Sequence, residues 1–356
     1  MKMLTITVLP ARYGDSILIE YEKSPGTAGR ILIDGGTSGT RADIVKQVTH
    51  NAVRHIELCI VTHIDRDHIE GILSLLEAPT QSFSIGEIWF NGYKHLIDDP
   101  NFEVLGAVQG ERLTAAILAN RIAWNQSFDG GPAAIADQLR LPVMLLPGDM
   151  KITLLSPTQD QLVGLIGSWE TEVIEAGLIP GYGYLAEPEE DDDTEMFGSD
   201  TIDIEALALE KFEEDDSLSN GSSIAFLLEY RGKKMLFTGD AHPSQIMKSL
   251  DTLYGQNDVV IDFWKISHHG GKGNTGPELV KRITCSQYIF STSGIKFPHP
   301  SRETIAWILK YKRGHATLYF NYRSDYNKVW DDADLKSEYD YETVYPAHTP
   351  GIKIEV

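Results

Sequence analysis

Four side chains able to bind metal fall within six consecutive positions: His63, Asp65, Asp67 and His68, in the run Val61-Thr-His-Ile-Asp-Arg-Asp-His-Ile-Glu-Gly71. Imidazole and carboxylate spaced this closely can face two different ions from one backbone segment. Thr62 and Asp67 also suit helix capping, so a capping turn with incidental charges is the plain alternative. The two cysteines, Cys59 and Cys285, sit in apolar strand-like runs without metal-type spacing and read as buried thiols.

These side chains need a scaffold, and the hydrophobic pattern supplies one. Residues 4–9, 16–21 and 30–34 read as a meander of short strands, 41–53 as a helix and 56–61 as a strand ending at Thr62. The cluster therefore falls on a loop leaving a strand and entering a helix over 71–76. Strands follow at 85–90 and 151–155, and a helix is expected over 111–124. A second series begins at 223–230 and 234–238. Strand and helix then alternate through 259–266, 278–283, 288–291, 303–311 and 316–320. Strands bunched at the start of each half suggest two similar half-sheets packed between helices.

Length and composition fit one elaborated domain over 1–356, with a helical insertion at about 95–147 and an acidic one at about 186–219. An apolar share of 42 % and a charged share of 23 % are ordinary for a globular chain. The net charge of -21 is concentrated: between Glu187 and Asp216 lie fifteen acidic residues and one basic residue, Lys211. Such a block is expected to be a solvated loop, or a screen and docking surface for a basic partner. No basic tract marks a duplex-binding surface. No apolar run approaches the roughly 20 residues that span a bilayer, and the first ten residues lack a secretory pattern, so no membrane partner and a cytoplasmic location are expected.

The central run resembles the metallo-β-lactamase fold, and within it the hydrolase domain of ComEC-type DNA-uptake proteins, which show His-x-Asp-x-Asp-His-x-x-Gly. Other blocks carry the same resemblance: Gly14-Asp15-Ser16, Ile31-Leu-Ile-Asp-Gly-Gly36, Asn220-Gly-Ser-Ser223, Leu236-Phe-Thr-Gly-Asp240, Lys265-Ile-Ser-His-His-Gly270 and Pro298-His-Pro-Ser301. The resemblance implies an α/β, four-layer αββα sandwich with insertions. It further implies metal ligands His63, Asp65, Asp67, His68, Asp240 and His269, with Asp240 between two ions. Asp34 would orient ligand histidines from behind, and His268 would face the substrate, although the order of His268 and His269 is open. Most of the superfamily has a second His at the position of Asp65, and an isolated later His where this chain has Asn220. His95 is a candidate replacement ligand or a plain loop residue. The oxygen-rich set shifts preference toward manganese, with zinc still open.

Gly270-Gly-Lys-Gly-Asn-Thr-Gly276 is a turn, or a loop whose N–H groups and Lys272 meet a phosphate. His299 lines the same cleft or serves structure. The expected activity is a phosphodiesterase or nuclease using water activated by two divalent ions, with Asp67, His268, Lys272 and His299 as catalytic candidates. Its substrate would be a phosphodiester, as a nucleotide or single-stranded nucleic acid. The alternative is a regulatory or partner-binding subunit of a multi-component system, such as a defence system, with little turnover of its own; separately, the acidic insertion is a candidate surface for a protein partner.

Overall fold

The computed structural model describes residues 4–50, 54–80, 82–96, 108–175 and 202–356. Two large sheets organise them. One has seven strands in the order Ile352–Glu355, Leu4–Val8, Ile17–Ser24, Thr27–Ile33, His55–Ile60, Ser84–Trp89 and Ala123–Trp124. The first four are antiparallel neighbours and the rest run parallel. The other has eight, in the order Tyr341–Val344, Ala316–Phe320, Gln287–Phe290, Phe263–Lys265, Lys233–Phe237, Ala225–Tyr230, Met150–Ser156 and Val143–Leu146.

Three apolar layers show how the sheets stack. Ile6, Ile19, Leu58, Trp89, Phe226, Met235 and Ile289 come from both sheets and form the central layer. Leu18, Leu32 and Cys59 on the opposite face of the first sheet pack with Ile69, Ile72 and Leu73 of the helix Arg66–Leu76. Leu227, Leu236 and Trp264 of the second sheet pack with Ile246, Leu279 and Ile305 of its covering helices. Alternate side chains of a strand point to opposite faces, so each sheet is apolar on both. The result is the four-layer αββα order of the metallo-β-lactamase fold. Cys59 and Cys285 are buried and unbridged.

Several elements differ from the pattern. The helix expected over 111–124 is Val108–Ala119, and Trp124 lies in a short strand extending the first sheet. The strand expected over 259–266 breaks into Val259–Ile261 and Phe263–Lys265; the former pairs with Ile283–Cys285 in a separate two-stranded sheet. Residues 97–107 and 176–201, with the 186–201 part of the acidic insertion, lie outside the described residues. In the insertion's remainder Ile204 is buried and Phe212 meets Trp307 edge-on at 5.7 Å between centroids, while Glu205, Glu210, Glu213, Glu214 and Asp216 are exposed. Among the described residues no helix is long and apolar enough to cross a membrane.

Glycines bring the site loops against the helix Arg66–Leu76. A Cβ on Gly71 would lie 1.9 Å from the Gly35 carbonyl oxygen, and one on Gly14 would lie 1.8 Å from that of Asp67. The close approach lets Gly35 N–H donate to the His68 carbonyl at 2.7 Å and Asp15 N–H to that of Asp67 at 3.2 Å. Helix propensity alone favours Gly71→Ala by up to about 1 kcal/mol, but the clash is with backbone, which cannot step aside. Gly71→Ala is therefore expected to lower unfolding stability by about 1–3 kcal/mol. Urea denaturation measures this, and an unchanged or raised midpoint contradicts it.

Candidate metal centre

The strand His55–Ile60 ends just before Thr62 and His63, and the helix starts at Arg66 rather than at Gly71. Asp67 and His68 thus project from its first turn. Neither Thr62 nor Asp67 caps it; Asp65 holds the cap position without a side-chain cap bond. The Thr62 hydroxyl instead donates to Asp34 Oδ2 at 2.8 Å, while its N–H donates to Asp34 Oδ1 at 2.7 Å. Asp240 follows the strand Lys233–Phe237. His268 and His269 occupy consecutive left-handed positions, φ 48° and 56°, after the strand Phe263–Lys265. Bulky residues reach this region only under strain, which is common where side chains must be aimed.

The buried imidazoles share one hydrogen-bonding logic. Thr62 Oγ1 gives its hydrogen to Asp34, so it accepts from His63 Nδ1, 3.0 Å away. His68 Nδ1 donates to Asp34 Oδ2 at 2.8 Å, and His269 Nδ1 to the Ser291 carbonyl at 2.9 Å. All three Nε2 atoms then turn inward. His68 Nε2 lies 3.3 Å from His269 Nε2 and 3.4 Å from Asp240 Oδ2. His63 Nε2 is 3.4 Å from Asp65 Oδ2 and 3.8 Å from Asp240 Oδ2. Asp67 Oδ2 is 3.3 Å from His269 Nε2.

Lone pairs and carboxylate oxygens converging away from water require positive charge between them. Burial disfavours a charged imidazole, yet Asp240, Asp34 and Asp67 hold His68 well above the usual histidine range. Burial opposes a charged His269 too, and Asp240 and Asp15 raise it to about 10. For Asp240, burial is outweighed by His68, His269 and His268, which hold it well below the usual carboxylate range. His63 Nε2 and Asp240 Oδ1 are buried without a hydrogen-bond partner. Ligand atoms of His63, His68 and Asp240 lie within 4.8 Å of one another. This donor set fits a divalent cation such as zinc or manganese.

Asp15, His68 and His269 meet the same distance criterion, but Asp15 already has its cation. It accepts from the buried Lys265 ammonium and lies 3.3 Å from His269 Nδ1, on the side away from the inward Nε2. Burial opposes the Asp15 charge, while Lys265 and His269 hold its carboxyl well below the usual range. Sequence reasoning gave Asp15 and Lys265 no role. A lysine inside an apolar strand was the available signal, since buried ammonium requires a partner.

His268 stands at the open side, with Nε2 3.9 Å from Asp240 Oδ2. Asn274 Nδ2 donates to Asp215 Oδ2 at 2.8 Å and to the Asp240 carbonyl at 3.0 Å. Its Oδ1 therefore accepts from His268 Nδ1 at 2.8 Å, leaving His268 Nε2 toward the cluster. Ser219 donates to Asp65 Oδ1. His299 stands beside His268, centroids 5.4 Å apart; burial, with His268 and His269, pushes it down to about 3, so its ring is neutral.

Three candidates fall outside the cluster. Lys272 is 68 % exposed and points to Glu303 at 3.7 Å. The glycines around it admit the acidic segment: Gly273 O accepts from Asp215 N–H at 3.0 Å, and Gly276 packs on Phe212. Close packing accounts for the lack of a side chain at Gly273 and Gly276. Asn220 is buried and donates to Asp215 Oδ2 at 2.6 Å. His95 packs edge-on against Trp124 at 4.7 Å and accepts from Gly92 N–H, a loop role rather than ligation.

No protein-family model matches the chain, and no curated protein matches it in sequence at a significant level. Similar solved structures include Zn(2+)-bound PqqB from Methylobacterium extorquens, at 12 % identity and TM-score 0.44, covering 99 % of this chain and 100 % of that one. The metallo-β-lactamase fold protein YhfI from Bacillus subtilis is 10 % identical with TM-score 0.37, covering 99 % of each. CmlA, a diiron β-hydroxylase from Streptomyces venezuelae, is 10 % identical with TM-score 0.40, covering all of this chain and 55 % of its own. None of these likenesses assigns a reaction.

Removing one partner of a buried ion pair strands the other. Lys265→Met is expected to cost about 3–5 kcal/mol of unfolding stability, and the added change Asp15→Asn to recover part of it. Denaturation of both variants tests this. A double variant no more stable than Lys265→Met contradicts the pairing.

Proposed function

We propose that this protein is a phosphodiester hydrolase working with two divalent ions. His63 and Asp65 would hold one ion and Asp67, His68 and His269 the other, and Asp240, 3.8 Å from His63 Nε2 and 3.4 Å from His68 Nε2, would serve both. When bound, such ions lower the pKa of a coordinated water and neutralise phosphoryl oxygens. The observation carrying the reading is the inward convergence of the His63, His68 and His269 Nε2 atoms on Asp67 and Asp240, with His268 on the open side.

The chain's own groups divide the remaining work. Asp34 fixes the His68 ring, and through Thr62 the His63 ring, so that neither must reorganise during the reaction. Asn274 keeps a hydrogen on His268 Nδ1, so His268 Nε2 accepts when the ring is neutral and donates when it is protonated. A protonated His268 is placed to hydrogen-bond a phosphoryl oxygen or give its Nε2 proton to the departing oxygen. The carboxylates of Asp65, Asp67 and Asp240 make the ligand set oxygen-rich, which suits hard ions and phosphoryl oxygen. The likeness of the His63–Gly71 run to ComEC-type hydrolases supports the same substrate class. Lys272 is left out, since its ammonium pairs with Glu303.

Two ions per chain are expected after reconstitution with manganese, counted by elemental analysis; none bound to a folded chain would defeat the reading. A panel of DNA, RNA, cyclic dinucleotides and methyl p-nitrophenyl phosphate is expected to yield hydrolysis that Asp67→Ala abolishes. His268→Gln should retain both ions while kcat falls about 100- to 10,000-fold. Unchanged turnover in His268→Gln would remove that residue from the mechanism.

A further inference from the structure

The open side of the centre continues into a line of rings. His299 lies 6.5 Å from His269 and 5.4 Å from His268, centroid to centroid. Phe297 lies roughly parallel to His299, 6.1 Å away at 29°. Tyr13 meets Phe297 edge-on at 6.1 Å. Lys296 lays its ammonium over the Tyr13 ring, 4.9 Å from the centroid, and over the Phe297 ring at 5.7 Å, so a stacking base would displace it. On a chain of net charge -21, this puts a cation and three rings beside a cluster suited to a phosphoryl group.

Phe297 is the exposed ring of the three, Tyr13 and His299 being half-buried, and the loops are held. Phe297 is 42 % exposed and the adjacent Ile295 68 %. The supporting backbone is tied across the two loops: Ser293 N–H donates to the Arg12 carbonyl at 2.6 Å, and the Ser291 hydroxyl to that of Gly14 at 2.9 Å. Arg12 N–H donates to the Tyr322 hydroxyl at 2.8 Å. Gly294 makes room for Tyr326, since a Cβ there would lie 2.4 Å from the ring. The platform is thus built before a ligand arrives, which lowers the ordering cost of binding. Aromatic faces accept any base by stacking.

We propose that Tyr13, Phe297 and His299 form a stacking subsite for the base of a nucleotidyl phosphodiester whose phosphate lies at His268 and the metal cluster. The assignment rests on the hydrolase reading for the phosphate end and on the ring geometry for the base end. Phe297 supplies the principal face, and His299 continues it toward the centre. The occupant is a nucleotide, free or within a single strand.

Calorimetric titration of the manganese-loaded protein with AMP, ribose 5-phosphate and a short oligothymidylate tests this directly. Wild type should bind AMP about 5- to 100-fold more tightly than ribose 5-phosphate. Phe297→Ala should shrink that preference to about twofold or less, and Phe297→Trp should keep it, the stacking face being the quantity that matters. Tighter binding of the oligomer than of AMP assigns the subsite to a strand, and equal binding assigns it to a free nucleotide. AMP binding no better than ribose 5-phosphate, or a preference that survives Phe297→Ala, overturns the subsite. Hydrolysis of methyl p-nitrophenyl phosphate, which has no base, separates the two readings. Turnover without base preference rejects the subsite alone, and base preference without turnover rejects the hydrolase alone.

Discussion

Everything around the centre follows from one constraint: three buried imidazoles have their Nδ1 sides occupied, so their Nε2 lone pairs must face the carboxylates of Asp67 and Asp240. Uncompensated, such an arrangement would be costly in a site that His68, His269 and Asp240 leave almost closed to water. Positive charge at the point of convergence turns the same geometry into a binding site. Asp34 is the residue on which most of this depends. Its carboxylate holds Thr62 by two bonds and His68 by a third, fixing two of the three rings from behind.

The fold serves that constraint by bringing strand ends together. Asp34, His63, Asp240 and His269 all follow strands, which come from both sheets, so the centre sits where the two half-structures meet. The glycine contacts at Gly14, Gly35 and Gly71 pull the first helix turn inward until Asp67 and His68 reach residues of the second half. The buried Asp15–Lys265 pair crosses the same boundary and stands behind His269. Replacing it with apolar groups would leave the ring with only the Ser291 carbonyl for support.

Much of the centre was legible because its chemistry is local in sequence. His63, Asp65, Asp67 and His68 share one short run, and Asp240 and the His268–His269 pair each close an apolar strand. The half-sheets were legible for a similar reason, since short apolar runs separated by turns leave a strong pattern. What could not be read depended on distant partners. Asp15 and Lys265 lie 250 positions apart. The glycines after His269 suggested an anion loop, but they accommodate Phe212 and Asp215, whose arrival no local pattern announces. His95 had a plausible position past a strand, and only tertiary packing on Trp124 removes it from the centre. Phe297 and Tyr13 become one surface only when their loops meet.

The central claim is spatial, so the most direct measurement is spatial too. Anomalous diffraction from crystals grown with manganese locates the ions without reference to any substrate. The account predicts two peaks, one bounded by His63 and Asp65, the other by Asp67, His68 and His269, with Asp240 reaching both. No peak among these residues at saturating manganese, with the chain folded as described, would contradict it.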